Sequence, residues 1–389
     1  MTKIGEHNIQ WRKVKLGEVA KTFTGLTYSP NCIDKSGTLV LRSSNIKDGQ
    51  LCFDDNVFVS MDIPERAIVQ ENDILICVRN GSRNLIGKCA LITKDAVGMA
   101  FGAFMTVLRS NIIDPKLLLY IWQSNSIQKQ VANNIGATIN QITNADFNRF
   151  EISYPADLSA QRRIAAILSS ADKVIAATQK TIAKYKQIKQ GMMEELLKPK
   201  EGWKMVRLGE VGKISMCKRV FSFETSTEGE IPFYKIGTFG KTADAFITRQ
   251  LFEEYKSKFS YPKVGDILIS ASGTIGRTVV FDGEPAYFQD SNIIWIDNDE
   301  QIVLNQFLYY LYQTITWNLE GSTIARLYND NFNKIEISVP YKNDKPDLIK
   351  QRRIAAILSG IDAKIAAEEK VLEKYEKVKK GLMERLLEE

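Results

Sequence analysis

Two long stretches of the chain place apolar residues at alternating steps of four and three. In the first, Ile164, Leu168, Ala171, Ile175, Thr178, Ile182, Tyr185, Lys189, Met192 and Leu196 fall on one line. In the second, Ile354, Leu358, Ile361, Ile365, Glu368, Leu372, Tyr375, Lys379, Leu382 and Leu386 do the same. A period of 3.5 held for more than four heptads is the seam of a coiled coil. Polar residues interrupt both seams at matching places, Thr178/Glu368 and Lys189/Lys379, and polar seam positions fix register at some cost in stability. Residues 161–197 and 351–387 therefore predict two rods, each roughly 55 Å long at 1.5 Å per residue. The simplest arrangement pairs them with each other, antiparallel.

The rest of the chain reads differently. Short β-branched and aromatic runs predict strands at Leu39-Val40-Leu41, Asp73–Ile76 and Thr106–Leu108, and again at Ile231–Phe233, Asp266–Ile269, Thr278–Phe281 and Ile293–Ile296. Helical patterns follow at Pro115–Ala132 and Asn305–Leu319. Each of these two regions is thus an α+β globe with turn-rich loops.

The two halves repeat. Residues 161–197 and 351–387 share 22 of 37 positions at a constant offset of 190. Trp11-Arg12-Lys13-Val14-Lys15-Leu16-Gly17-Glu18-Val19 returns as Trp203 to Val211. Gly136-Ala137-Thr138-Ile139 through Glu151-Ile152-Ser153-Tyr154-Pro155 returns as Gly321-Ser322-Thr323-Ile324 through Glu336-Ile337-Ser338-Val339-Pro340. An internal repeat sets the architecture before any single residue does. The expected plan is a globe over 1–155, a rod over 156–200, a second globe over 201–345 and a second rod over 346–389, related by a pseudo-twofold axis. Lys198-Pro199-Lys200-Glu201-Gly202 ends the first rod, because Pro and Gly there cannot continue a helix. The segments leading into the rods read as hinge-like joints. The globes share a frame, yet their loops diverge, which suggests two sites that bind different things through one geometry.

Composition narrows the class. With 389 residues and 44% hydrophobic content, the chain can bury two ordinary cores. It has no run of eighteen apolar residues and no signal-peptide core, so a cytoplasmic, membrane-free protein is expected. Five scattered cysteines without CxxC spacing fit reduced thiols. With His7 as the one histidine, a Cys/His zinc site has no plausible ligand set. The net charge of +6 is unevenly placed: residues 1–150 carry +4, 161–200 carry +6 and 201–350 carry −3. That balance is compatible with a nucleic-acid partner and does not prove one.

Catalytic patterns are missing. No NPPY- or DPPY-like tetrapeptide occurs. Gly237 to Thr242 ends like a P-loop, but the required first glycine falls at Lys235. Pro346-Asp347 with Asp362-Ala363-Lys364 mimics a metal-nuclease pattern, yet its carboxylate and lysine lie inside the rod.

The repeated WxxVxLGEV opening, the DILIS-x-SGTIGR run (266–277) and the twice-used QRRIAAILS helix with GL-x-E-x-LL or its near match toward the end carry a resemblance. In order and along nearly the whole length, the chain resembles the specificity (S) subunit of type I restriction–modification systems. The first globe departs from the pattern, with NGSRNLIGK (80–88) where SGTIGR stands in the second. The resemblance implies that each globe reads one half of a split double-stranded DNA target. It implies that the helices set the gap and dock two methyltransferase subunits, with restriction subunits in the full complex. Catalysis and its cofactor S-adenosylmethionine would sit on those partners, and this chain would carry none.

Base edges in the major groove are read by Arg, Lys, Asn, Gln, Ser and Thr, and phosphates by cations, hydroxyls and backbone amides. Loops rich in these types are the candidates. In the first globe these are Arg42, Ser43, Asn45, Arg79, Asn80, Ser82, Arg83, Asn84, Asn140, Gln141, Thr143 and Asn144. In the second they are Lys218, Arg219, Tyr234, Lys235, Thr238, Lys241, Ser272, Thr274, Arg277, Arg326, Tyr328 and Asn331. Gly273 and Gly276 are expected to shape their loop. Two alternatives stay open at this point: a coiled-coil scaffold joining two protein-binding globes, and a specificity subunit of a related restriction system.

Overall fold

The computed structural model describes residues 9–135, 140–317, 327 and 329–387. Two helices dominate, Leu158–Leu196 and Leu348–Leu387. By contacts the chain divides into two compact units, one of Met1–Lys180 with Glu369–Glu389 and the other of Thr181–Glu368. Each unit therefore holds one globe and a part of both long helices.

In the first unit the two sequence echoes that bracket the globe turn out to be paired strands. Trp11–Lys15 runs antiparallel to Glu151–Pro155, with Trp11 opposite Pro155 and Lys15 opposite Glu151. Leu16–Val19 then makes a single helical turn whose Leu16 and Val19 are buried. A four-stranded antiparallel sheet follows in the order Lys21–Thr24, Met105–Arg109, Ile74–Cys77, Cys89–Leu91. A second sheet sets Phe58–Val59 and Ala100–Phe101 on either side of Ile33–Leu41, the latter pair parallel. Both faces of Ile74–Cys77 are covered, which is why the DILI motif is apolar without alternation. The aspartate that opens this motif, Asp73, is 1% exposed and takes two hydrogen bonds from Arg109 at 2.6 and 2.8 Å. A buried carboxylate is tolerated only when paired in this way.

The helix expected over Pro115–Ala132 is two helices, Pro115–Gln123 and Asn125–Asn134. Ser124 interrupts them because it adopts an extended backbone and its hydroxyl accepts the Ile127 N–H as an N-cap. Trp122, stacked on Phe147 at 5.0 Å, anchors this part of the core. Ile164, Ala165 and Leu168 of the first long helix and Leu386 and Leu387 of the second complete it.

The second unit repeats the plan. Trp203–Arg207 pairs with Glu336–Lys342, and the four-stranded sheet runs Gly212–Ser215, Ile293–Asn298, Ile267–Ser270, Thr278–Val280. Phe246–Ile247, Ile231–Tyr234 and Tyr287–Phe288 form the smaller sheet, again with one parallel pair. Its core takes in Met193 and Leu197 of the first long helix and Ile354, Ala355 and Leu358 of the second.

The segments leading into the long helices are not hinges. Gln161, 2% exposed, accepts the Asp114 N–H at 2.7 Å and donates to the Pro155 carbonyl at 2.9 Å. Gln351, fully buried, accepts the Leu304 N–H at 2.8 Å, the counterpart of the Asp114 bond, and donates to the Ile302 carbonyl at 2.9 Å. Asp157 and Asp347 each accept backbone N–H groups at the start of their helix. The residues that lengthen the second lead-in form a tight hairpin, with Tyr341 opposite Pro346 and Asn343 and Asp344 at positive φ. Asn and Asp tolerate that conformation.

Along the first helix the seam residues Ile164, Leu168, Ile175, Ile182, Tyr185 and Met192 are all buried or half-buried. Along the second the same holds for Ile354, Leu358, Ile365, Leu372 and Leu382. Tyr375 departs from the expected seam and is 38% exposed.

Candidate nucleic-acid interface

In the first globe, loops far apart in sequence meet at the ends of the core strands. After Leu41 the chain makes one turn at Ser43–Asn45. Asn45 builds this turn. Its side chain accepts the Arg42 N–H at 2.9 Å and donates toward Cys52 O at 3.0 Å, and it is fully buried. A side chain consumed in this way cannot read a base, so Asn45 is corrected from reader to scaffold. Arg42 faces Asp55 at 2.9 Å. Ser43 accepts from Asn80 at 3.3 Å, which ties this turn to the 79–84 loop. Asn80 in turn accepts the Ser82 N–H, the Asx-turn device of polar loops.

The third stretch joins through backbone. Arg79 bridges to Gln141, and Asn140 donates to the Gly81 carbonyl at 3.1 Å. Thr143 caps the helix Asn144–Arg149 in a capping box with Asp146, and Asn144 reaches Thr24 at 3.3 Å. Arg83 donates to the Ala132 carbonyl. Arg79, Ser82, Arg83, Asn84, Thr143 and Asn144 are exposed on this surface. The Arg79 guanidinium lies 5.1 Å over Phe104, whose ring is 55% exposed. Phe104 is a surface aromatic that composition reading did not single out.

The second globe assembles a comparable cluster from different residues. Arg277 donates to the Phe239 carbonyl at 2.9 Å, drawing the 235–241 and 270–277 loops together. Ser272 donates to Asn292 at 2.8 Å, and Gln289 accepts the Ile236 N–H at 2.9 Å. Arg219 meets Asp290, and Lys235 meets Asp244. Thr238 accepts the Lys235 N–H and holds that turn. Tyr234 stacks on Phe288, while Lys218 lies over the Phe259 ring. Thr274 and Lys241 are exposed at the loop tips. Asn331 is exposed on the short helix Asn329–Asn333, and Arg326 and Tyr328 lie outside the described residues.

Gly276 has φ +82°, and a Cβ there would sit 2.1 Å from the Trp317 indole nitrogen. Gly273, at φ +63°, has its nearest neighbour at 3.7 Å. Both glycines shape the loop, and Gly276 additionally makes room for the indole.

Among the described residues, no carboxylate pairs with Arg79, Arg83, Lys218, Lys241 or Arg277. Arg79 and Lys218 lie over ring faces, Lys241 is exposed, and Arg83 and Arg277 each donate to a backbone carbonyl, which leaves the positive charge uncompensated, the condition that attracts a phosphate backbone. The described residues contain no cluster of three metal-ligating side chains and no helix long and apolar enough to cross a membrane. None of the five cysteines forms a disulfide. Burial pushes the Cys89 and Cys217 thiols up to about 12, so neither is a ready nucleophile.

Reading for cations and amides missed several structural side chains. Tyr120 donates to Asp172 at 2.6 Å and Tyr310 to Asp362 at 2.8 Å. Both tyrosine hydroxyls are raised well above the ordinary range, first by burial and then by the neighbouring carboxylate. The signal was present: Tyr120/Tyr310 and Gln161/Gln351 obey the same offset of 190 as the rods.

Residues 8–187 and 200–377 each match the family model described as the type I restriction modification DNA specificity domain. The chain belongs to that family. A Haemophilus influenzae protein named as a type I restriction enzyme specificity subunit is 58% identical over 170 residues, 43% of each chain. The match therefore spans less than half the length of that relative. A Methanocaldococcus jannaschii protein named as the MjaX specificity subunit is 27% identical over 424 residues, covering 99% of this chain and 95% of that one. The solved S subunit of a type I restriction-modification system from M. genitalium shares the fold, with a TM-score of 0.62 over 100% of both chains at 18% identity.

Proposed function

We propose that this chain is the DNA-specificity subunit of a type I restriction–modification complex, in which each globe reads one half of an asymmetric, bipartite duplex target. The observation that carries the reading is one scaffold bearing two different loop clusters, each rich in exposed cations and amides. The shared scaffold presents both clusters from equivalent strands, and the different side chains select different bases.

The two long helices form the spacer, pairing as an antiparallel coiled coil with pseudo-twofold symmetry. Support comes from contacts inside single units. In the second unit Lys364 lies over Tyr185 and Asp362 bonds Lys189, so the numbering falls along one helix as it rises along the other. In the first, Asp172 bonds Lys379. Readers held about one helical turn apart, roughly 10 bp between half-site centres, would leave an unread gap between two short blocks. The exposed outer faces of the helices dock two methyltransferase subunits, which bring S-adenosylmethionine and the chemistry. Restriction subunits complete the assembly, and the complex acts in the cytoplasm on double-stranded DNA.

The test is selection of bound duplexes from a random pool by this protein with its methyltransferase partner at moderate salt. One asymmetric motif in two blocks with a fixed gap is the expected result. No recovered motif with the partner present would overturn the reading and favour a scaffold that joins protein-binding globes.

A further inference from the structure

A lysine in a coiled-coil seam needs a reason, because an apolar residue there packs better. Lys189 and Lys379 each interrupt their seam, with side chains only 18% and 23% exposed. Each finds an aspartate of the other long helix. Lys189 lies 2.7 Å from Asp362, and Lys379 lies 2.6 Å from Asp172. The second oxygen of each aspartate accepts a tyrosine hydroxyl from the globe of the same unit, Tyr310 at 2.8 Å and Tyr120 at 2.6 Å. The lysine then covers that tyrosine's ring, at 5.4 Å in one unit and 5.6 Å in the other. The chain thus builds the same Tyr–Asp–Lys triad twice, each from one globe and both helices.

We propose that the two triads are positioning residues that fix the direction and register of the helix pair, and through them the length of the unread gap. This inference rests on the spacer role argued above. Each helix contributes one Asp and one Lys to the triads, seventeen residues apart in both, at 172/189 and 362/379. Both bridges therefore close together only when the helices run antiparallel in a single register. A parallel, in-register pair would set Lys189 beside Lys379 and Asp172 beside Asp362. A slip by one heptad would carry each lysine about 10 Å from its aspartate and leave the charge in the seam without a partner. The apolar seam residues lack this discrimination, because Leu and Ile at one layer resemble those a heptad away. A single polar seam residue setting register is a known device, and here it is supplied as a matched pair.

The experiment must separate register from stability. Replacing both lysines by methionine (K189M/K379M) keeps the seam filled, while each aspartate, about one-third exposed, keeps its tyrosine hydroxyl and its access to water. The expected result, by target selection with the methyltransferase partner, is that both half-sequences persist while the single gap becomes two or more. Lengths about 3 bp apart follow from a heptad slip of about 10 Å at about 3.4 Å per base pair. The K189R/K379R protein, which keeps the charge, should retain the parental gap. A K189M/K379M protein that folds and selects only the parental gap would overturn the inference, since the triads would then contribute packing alone. Should the double variant fail to fold, the milder Tyr120→Phe/Tyr310→Phe pair must broaden the gap, and an unchanged single gap there would overturn the inference equally. Failure of the parent protein to select a split motif would instead count against the specificity-subunit reading itself.

Discussion

Gly276→Ala gives the sharpest local test of how the 270–277 loop is built. Two separable terms oppose the alanine. Its backbone sits at φ +82°, where an L-residue loses about 1–2 kcal/mol. Its Cβ would lie 2.1 Å from the Trp317 indole nitrogen and 2.2 Å from Cδ1. The indole cannot simply swing aside, because it stacks on Phe332 at 6.2 Å and meets Tyr312 at 6.0 Å. Forcing an extra methyl into such packing typically adds about 1–3 kcal/mol. Gly276→Ala should therefore destabilise by about 2–5 kcal/mol. Gly273→Ala isolates the first term, since that residue is also at positive φ but its Cβ would meet nothing nearer than 3.7 Å. Equilibrium urea unfolding of the full chain measures both, with the difference between the variants assigned to the indole. If the two variants agree within about 0.5 kcal/mol, the steric reasoning is wrong and Trp317 yields freely. In target selection, Gly276→Ala should relax the second half-sequence and leave the first intact.

Removing either buried glutamine strands two backbone groups, at about 1–3 kcal/mol each. Gln351→Ala and Gln161→Ala should each lower stability by about 2–6 kcal/mol in urea unfolding, and a loss below about 1 kcal/mol would mean water replaces the amide. Asp157 is held below the usual carboxylate range, first by the Ser159 hydroxyl and then by the Ala160 and Ser159 N–H groups. Its contribution is therefore complete above the unfolded value near 4 and lost as pH falls through the lower folded value. Asp157→Asn should flatten the acid limb of a stability-against-pH curve, and an unchanged slope between about pH 5 and 3 would contradict the assignment. Arg79→Ala should weaken selection only in the first block and Arg277→Ala only in the second. Any base readout lost should correspond to about 1–3 kcal/mol of discrimination, measured by competition between matched and mismatched duplexes. A change in the opposite block from either variant would break the one-globe, one-half correspondence.

The long helices were legible because a seam of 3.5-residue period repeats without a gap, and the burial of Ile164, Leu168 and Ile182 follows it. The paired end strands were visible as echoes, though not as partners: nothing local tells Trp11 that Pro155 lies opposite. Local chemistry also overrode the helical pattern at Ser124, whose hydroxyl is a better cap than a helix-interior group. The loops were legible only as compositions. Ser43 meets Asn80 across 37 residues and Asn140 meets Gly81 across 59. Such bonds leave no periodic trace, so a composition rule ranked the buried Asn45 alongside the exposed Asn84.

That difference in legibility has a physical source that bears on how the molecule changes. Frame residues such as Asp73, Gln161 and Gln351 are buried with their hydrogen bonds complete, so altering one leaves an unpaired group in the core. Tip residues such as Arg79, Asn84, Lys241 and Thr274 are exposed, and surface changes of this kind usually shift stability by under about 0.5 kcal/mol. The fold therefore tolerates new side chains at the loop tips, the places proposed above to read bases. It resists them in the frame that holds those loops. The close match of the two helices and the divergence of the two loop sets are what that division of constraint produces.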